Sequence, residues 1–398
     1  MSSDQVIEVE KLKKYFPLKK GFFQTFLSRE EETVKAVDGI SFSVGKGEIV
    51  GLAGESGSGK TTTGRLLLRL VNPTEGSIIF KAIDLGKFKD SELGILRKYL
   101  RLEELDLTKL SESEQRSLSR AVHDKESGKI DVSTLGDSDL KVLRPYLRFG
   151  DIDITKLSDS ELKPLRRDIQ IIFQDPFESL DPRMTIKEII AEPLRVQKVC
   201  KNEEEVEERV KAIMTDVEVV PPEEFLHRFP HELSGGQRQR IAVARAFVLD
   251  PKFVVADEPV SMLDVSIRAE VVNLMVDLVN KRGSSVVFIT HDLAVTKHVC
   301  DKVIIMYLGK MMEMGTSIDV IDNALHPYTK ALIAAVPVPD PSYKRTDVIS
   351  GEIPSPVNPP PGCRFSTRCP YAHERCTIEE PAFVEVEKGH YVACHLYT

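Results

Sequence analysis

Basic residues are scarce in this chain relative to acidic ones: 54 Lys and Arg against 62 Asp and Glu, a formal net charge of −8. A general affinity for nucleic acid needs the opposite surplus, so no nucleic-acid partner is expected. Long apolar runs are missing too. No stretch reaches the roughly 18 consecutive apolar residues that crossing a bilayer requires, and the opening MSSDQVIEVEKLKKYF lacks the apolar core of a secretory signal. The chain is therefore expected to work in the cytoplasm. Cysteine is rare, six in 398 residues, yet four fall in the last 36 as Cys363, Cys369, Cys376 and Cys394. In a reducing compartment such clustering suggests a metal before a disulfide. Cys200 and Cys300 stand alone and read as ordinary.

What the chain does have is alternation. Short β-branched runs (GEIVGLAG, IQIIFQ, KFVVADEP, SVVFITHD, KVIIMYLG) are separated by longer helix-like segments, the pattern of an α/β fold with a parallel sheet covered by helices. Near the front, VIEVEKLKKYF and KAVDGISFSV read as strands of a smaller antiparallel layer, joined by a polar loop from Lys19 to Thr33. Beyond Leu325 proline and turn residues dominate (VPVPDPSY, GEIPSPVNPPPGC), which predicts a boundary and a separate C-terminal module over 325–398.

From about Ala82 to Asp168 the chain repeats itself. Asp84, Asp106, Asp131 and Asp153 each start the pattern D-x-x-x-(L/F)-x-(D/E)-S-(D/E), and a leucine follows twelve places later: Leu96, Leu118, Leu143 and Leu165. Two copies share near-identical tails, LRKYLRL and LRPYLRF, so duplication is the simplest account. In the second and fourth copies Ser111 with Glu114, and Ser158 with Glu161, match the capping box, which predicts that each of these units ends in a short helix begun by those residues. The insertion, about 82–152, reads as a solvated helical appendage with a leucine core of its own.

GESGSGKT, Gly54 to Thr61, fits G-x-x-x-x-G-K-(S/T) and lies between a strand and a helix, the context that this phosphate loop needs. Its glycines let backbone N–H groups close around phosphate oxygens, Lys60 would neutralise the β and γ phosphates, and the Thr61 hydroxyl would bind Mg2+. Gly54, Ser56, Gly57, Ser58, Gly59, Lys60, Thr61 and Thr62 are the candidate nucleotide-binding residues. FVVADE, Phe253 to Glu258, delivers two carboxylates at the C-terminal edge of a sheet, where ligands of open α/β sheets bind. Asp257 would hold Mg2+, and Glu258, pointing the other way along the strand, would polarise the attacking water. A second anion site is suggested by LSGGQRQR: Ser234, Gly235 and Gly236 leave N–H groups bare before a helical run, although the phosphate loop lies far upstream.

The phosphate loop, LSGGQ, VVADEP, SMLD and ITHD, in this order, resemble the nucleotide-binding subunit of an ATP-binding cassette (ABC) transporter, over all but the repeat insertion. The resemblance implies a P-loop ABC ATPase domain over 1–324, with a parallel sheet, an antiparallel layer and a helical subdomain at about 176–246. By that match Gln174 would sense Mg2+ and the attacking water, His291 would contact the γ phosphate, and Phe16, with Tyr15 beside it, would stack on the adenine. Two such subunits pack head to tail in this family. Ser234, Gly235, Gly236 and Gln237, with Asp264 in the loop between subunits, would then act in trans on ATP held by the other chain's Lys60.

HPYTKALIAAVPVPDP followed by GCRFSTRCPYAHERC resembles the C-terminal extension of oligopeptide and dipeptide importer ATPases, and FQDPFESLDPRMTIKEIIAEPL with KYFPLKKG looks like the second, F-type, of their two ATPase subunits. Met262 departs modestly from the alanine of the family's SALD stretch. The resemblance implies a different ATPase subunit as partner, two transmembrane permeases, an extracellular solute-binding protein, and a peripheral position on the cytoplasmic face of the membrane. Relatives carry peptides, some carry oligosaccharides, and nickel is another cargo. The cysteine spacing C-x5-C-x6-C-x17-C suits either Zn2+ or a [4Fe-4S] cluster, or no metal, and the resemblance favours the cluster. His373 and His395 read as exposed rather than as ligands.

Overall fold

The computed structural model describes residues 5–18, 32–102, 111–121, 132–336, 351–352, 354–357 and 359–398. Five strands lie side by side and parallel, in the spatial order Lys302–Tyr307, Ile49–Ala53, Ser285–Thr290, Phe253–Asp257 and Ile169–Ile172. A parallel strand is covered by helices on both faces, so it has no wet side and reads as an unbroken apolar run. Phe253–Asp257 and Ser285–Thr290 are accordingly buried at every position. A four-stranded antiparallel sheet packs nearby, in the order Thr33–Gly45, Gln5–Pro17, Glu75–Phe80 and Ile152–Asp153.

The C-terminal region joins the central sheet. Strand Lys310–Thr316 runs antiparallel to Lys302–Tyr307, and the hairpin Phe383–Glu387 and His390–Ala393 continues beyond it, bringing that sheet to eight strands. Its anchor is Glu313, fully buried, whose carboxylate accepts the N–H groups of Leu325 at 2.7 Å and His326 at 2.9 Å and lies 2.8 Å from His390 Nε2. A buried carboxylate without such partners would be costly, so both ends of the extension are tied to the same strand.

Residues 176–246 are helical, with Ile186–Val196, Glu203–Asp216 and Gly235–Phe247 as the longer elements. Thr185 and Asn202 cap the first two through their side chains.

Within the insertion, the first and third copies fold alike. Helix Asp90–Ile95 leads through a 3-10 turn to strand Leu100–Leu102, and helix Asp137–Leu143 leads the same way to Leu147–Phe149. The two strands pair antiparallel, with Arg101 opposite Arg148. The tails L-R-L and L-R-F alternate apolar and charged residues, a period of two that suits a strand. The fourth copy has helix Asp159–Leu165, with Ser158 and Glu161 forming the capping box, and Ser111 and Glu114 make the same exchange at the helix Glu112–Ala121. Asp106 and Asp131 lie outside the described residues, as does the Leu118 side chain. Lys87 ties the insertion to the sheet, 2.9 Å from buried Asp168 and 2.7 Å from Asp250 O.

The recurring leucines Leu96, Leu143 and Leu165 are fully buried, whereas neighbouring Ile95 is 46% exposed. Leu96→Ala or Leu143→Ala is expected to destabilise the chain by about 2–5 kcal/mol, and Ile95→Ala by under about 0.5 kcal/mol. Chemical-denaturation midpoints check this, and equal effects at Leu96 and Ile95 would refute the leucine core.

Candidate functional site

The phosphate loop runs from the end of strand Ile49–Ala53 to helix Lys60–Leu67. Two of its glycines are forced by close contact. Gly54 has φ +146° and a Cβ there would sit 2.2 Å from Met306 O, while Gly59 has φ +106° and would meet Ala36 O at 2.3 Å. Only a residue without Cβ adopts that backbone against those carbonyls. Ser56 and Gly57 are exposed, Ser58 is buried, and Thr62 is half-buried in the first turn of the helix.

Lys60 is 5% exposed, and its ammonium donates to Gly54 O at 2.7 Å and Glu55 O at 2.9 Å. Burial lowers its pKa, while the carboxylates of Glu258 and Asp257 act the other way. Thr61 Oγ1 donates to Asp257 Oδ1 at 3.1 Å, so the hydroxyl and carboxylate expected to hold Mg2+ are neighbours. Burial raises the Asp257 pKa, and the Thr61 hydrogen bond opposes it. Hard oxygen donors of this kind fit Mg2+.

Glu258 does not continue the strand as expected. The strand ends at Asp257, and Glu258 turns with φ +46°, a left-handed conformation unusual for a residue with a side chain. Its N–H donates to Ile289 O at 2.9 Å, and Ser261 Oγ donates to its carbonyl at 3.1 Å, which hold the turn. The turn brings its carboxylate between two others of the predicted residues. Gln174 Nε2 donates to Glu258 Oε2 at 3.3 Å, and His291 Nδ1 lies 3.1 Å from the same oxygen. Thus Lys60, Thr61, Asp257, Glu258, Gln174 and His291, drawn from four loops, share one edge of the sheet.

Phe16 is 38% exposed at the end of strand Gln5–Pro17, with the Lys14 ammonium 4.9 Å from its ring centre. Tyr15 is otherwise engaged: its hydroxyl donates to Asp38, and burial raises its pKa. Tyr15 lies opposite Lys35 and Phe16 opposite Val34, on the strand whose Ala36 O approaches Gly59 of the phosphate loop.

Ser234 and Gly235 are exposed, away from that edge's own hydrogen bonds. Ser234 Oγ accepts the Gln237 N–H at 3.3 Å, and Gln237 Oε1 accepts the Ser234 N–H at 3.0 Å, a capping box on helix Gly235–Phe247. The first-turn N–H groups of Gly235 and Gly236 cannot be satisfied within the helix. Asp264 is exposed and starts helix Val265–Arg282 without a side-chain capping bond, and Met262 beside it is 62% exposed.

All four tail cysteines are free thiols lining one cavity of about 20 Å3, together with His326, His373 and His395. Burial pushes Cys363 up to about 12 and also raises Cys369 and Cys394, and the neighbouring thiols add to the effect. Among the described residues, no three His, Cys, Asp or Glu groups converge closely enough to hold a single ion. His395 corrects its expectation: it is 8% exposed, with Nε2 2.9 Å from Glu379 O and Nδ1 3.2 Å from Thr398 Oγ1. The closing turn of the chain wraps over it. His373 is exposed, and its Nδ1 lies 3.1 Å from Cys376 Sγ.

Sequence reasoning missed the residues by which the tail reaches the phosphate loop. Arg368 meets the carboxylate of Glu55, and Arg364 meets that of Asp38. The available signal was Glu55 itself, an acidic side chain inside a loop built for anions.

Comparison with known proteins shows the family. The ABC transporter family pattern matches residues 37–131 and 116–261, and the pattern of the oligopeptide/dipeptide transporter C-terminal region matches residues 312–376. The chain is 41% identical, over 100% of its length and 99% of the relative's, to the oligopeptide transport ATP-binding protein AppF of Bacillus subtilis. It is 40% identical to the oligopeptide transport ATP-binding protein OppF of Salmonella typhimurium, over 98% of this chain and 95% of that one. Its fold is similar to the dimeric ATP-binding cassette MJ0796 in a post-hydrolysis state with ADP and phosphate, at TM-score 0.52 and 23% identity, covering 78% of this chain and 98% of that one. With the cassette pattern over more than half of its residues and full-length similarity to such proteins, the chain belongs to the ABC transporter ATP-binding proteins, in their oligopeptide-transport branch.

Proposed function

We propose that this chain binds Mg-ATP on the edge formed by Gly54–Thr61 and uses its hydrolysis to drive import of oligopeptides or dipeptides. The observation that carries the reading is the convergence on Glu258: Gln174 and His291 hold one carboxylate oxygen, beside Lys60, Thr61 and Asp257. Lys60 and the loop N–H groups bind the phosphates, and Phe16 stacks on the base. Thr61, Asp257 and Gln174 would hold Mg2+, which supplies charge neutralisation on the phosphates. Glu258 takes the proton of the attacking water, His291 fixes the orientation of that carboxylate and reaches the γ phosphate, and Gln174 links the site to the membrane partner.

The chain works as half of a sandwich in which Ser234, Gly235, Gly236, Gln237 and Asp264 close on ATP held by a second, non-identical ATPase subunit. Charge-assisted hydrogen bonds of this kind contribute about 1.5–3 kcal/mol each, enough in number to make closure depend on ATP. No described helix is long and apolar enough to cross a membrane. Attachment to the cytoplasmic face is through two permease subunits, fed from outside by a solute-binding protein. Oligosaccharide is the alternative cargo.

Cys363, Cys369, Cys376 and Cys394 hold a [4Fe-4S] cluster. Its support is four unbridged thiols on one small cavity, where burial makes separate thiolates unfavourable unless a cation neutralises them. In this chain the centre is structural, closing the tail against the sheet. The helical insertion, about 82–152, and the cysteine-rich extension are the two additions to the cassette core.

Glu258→Gln is expected to lower ATP hydrolysis about 10²–10⁴-fold while ATP binding and ATP-dependent pairing of cassettes persist. Phosphate release and size-exclusion chromatography measure both, and unchanged turnover would remove Glu258 from the role of base. Anaerobically purified protein is expected to carry iron and sulfide and to absorb in the visible, with the colour lost in Cys363→Ser or Cys394→Ser. Colourless protein with one zinc per chain, or with no metal, overturns the cluster.

A further inference from the structure

A loop that binds anions through N–H groups and a lysine has no use for a carboxylate of its own. Glu55 nevertheless stands inside it, directly after Gly54. Its charge opposes a triphosphate, and the structure answers it from the far end of the chain. Arg368 faces Glu55 fork to fork, Nη1 to Oε2 at 2.7 Å and Nη2 to Oε1 at 3.1 Å. Arg368 is itself buried, at 9% exposure, and its guanidinium donates a further bond to Tyr307 Oη at 3.2 Å. A bidentate pair of this kind fixes direction as well as charge.

The backbone of the same residue is held separately. The Glu55 N–H donates to the hydroxyl of Tyr328, in helix Pro327–Ala334, at 2.8 Å. Tyr328 cannot swing away, because its ring packs on Tyr307 and Phe365 with centroids 4.7 and 5.2 Å apart. One turn before Arg368, Arg364 donates to Leu308 O at 2.6 Å, and the next residue, Gly309, donates its N–H to Ser58 O at 2.8 Å. The extension therefore grips the phosphate loop at Glu55 directly and at Ser58 through one intervening turn. None of these contacts reaches Glu258, Gln174 or His291.

We propose that Arg368 and Tyr328 are positioning residues of the ATP site: they hold the phosphate loop in its anion-receiving form, and Arg368 cancels the charge of Glu55. This rests on the reading of Gly54–Thr61 as the ATP site. The brace acts on binding and leaves the chemical step alone, since its contacts stop at the loop. It also gives the extension a part in nucleotide affinity that does not depend on what the cysteines hold.

The test uses the full chain assembled with its transporter partners and reads KM for ATP and kcat separately. Arg368→Ala is expected to raise KM about tenfold, with kcat within about twofold of the parent. Adding Glu55→Gln to Arg368→Ala is expected to recover most of the lost affinity, because the uncompensated carboxylate is gone; an arginine that merely stabilises the tail would not be rescued this way. Tyr328→Phe removes one hydroxyl, keeps the ring packing, and is expected to raise KM about threefold, so the brace remains testable if Arg368→Ala does not fold. Unchanged KM in Tyr328→Phe and Arg368→Ala, or a double variant no better than Arg368→Ala, overturns the proposal. Lys60→Ala, read as the ATP affinity of the full-length chain without its ATPase partner, separates the two readings: unchanged affinity there refutes the ATP site itself, whereas lost affinity there with normal Arg368→Ala refutes the brace alone.

Discussion

A strand buried on both faces can offer a polar group only where it ends, and in a parallel sheet all the corresponding ends lie on one edge. That constraint places the whole candidate site. Thr290 sits opposite Ala53 on one side, and Ile289 opposite Asp257 on the other, so three neighbouring strands finish within one residue of one another. One residue further on in each case lie the phosphate loop, the Glu258 turn and His291, while Gln174 follows the adjacent strand Ile169–Ile172. The apolar interior thus sets the relative height of the charged groups, and a one-residue slip in any strand would move its contribution off the site. The glycines at 54 and 59 complete the arrangement by letting the loop pass against Met306 O and Ala36 O.

The extension belongs to this scheme structurally. An antiparallel strand at the rim of a sheet exposes unpaired backbone groups, and Lys310–Thr316 would be that rim without the hairpin that ends at Ala393. Glu313 on that strand would also be a buried carboxylate without donors, since Leu325, His326 and His390 supply its partners. Leaving such a group unpaired is strongly unfavourable. The tail is consequently a continuation of the ATPase core, and Arg364 and Arg368 reach from it to Asp38 and Glu55.

Much of the candidate site was legible because its motifs are local. A phosphate loop between strand and helix, or two carboxylates behind a buried run, carries its context within a dozen residues. What stayed hidden depends on contacts between distant residues. Glu55 and Arg368 are 313 positions apart, and nothing in GCRFSTRCP alone says which anion its arginines meet. The left-handed turn at Glu258 was hidden for a different reason: it follows from the anchoring of its N–H on Ile289 O and of its carbonyl on Ser261, not from any preference of glutamate. The tails LRKYLRL and LRPYLRF gave no strand signal in the sequence, because a strand of three residues is too short to show its period and depends on pairing with its distant counterpart.

The position of the insertion explains how a cassette can carry it. Phe80 and Ile152 lie opposite each other in the antiparallel sheet, so the chain leaves and returns at neighbouring points. Closing a loop costs entropy that grows only slowly with its length, by about 0.6 kcal/mol per doubling. A longer excursion therefore adds little closure penalty, provided each added turn of chain brings its own packing. The recurring leucine does this: Leu96, Leu143 and Leu165 fall in one continuous core with Phe80 and Ile152. Paired ends and a repeated apolar residue together let the segment grow without shifting strand Ile169–Ile172, on which Gln174 depends, and Lys87 on Asp168 fixes the seam between the two.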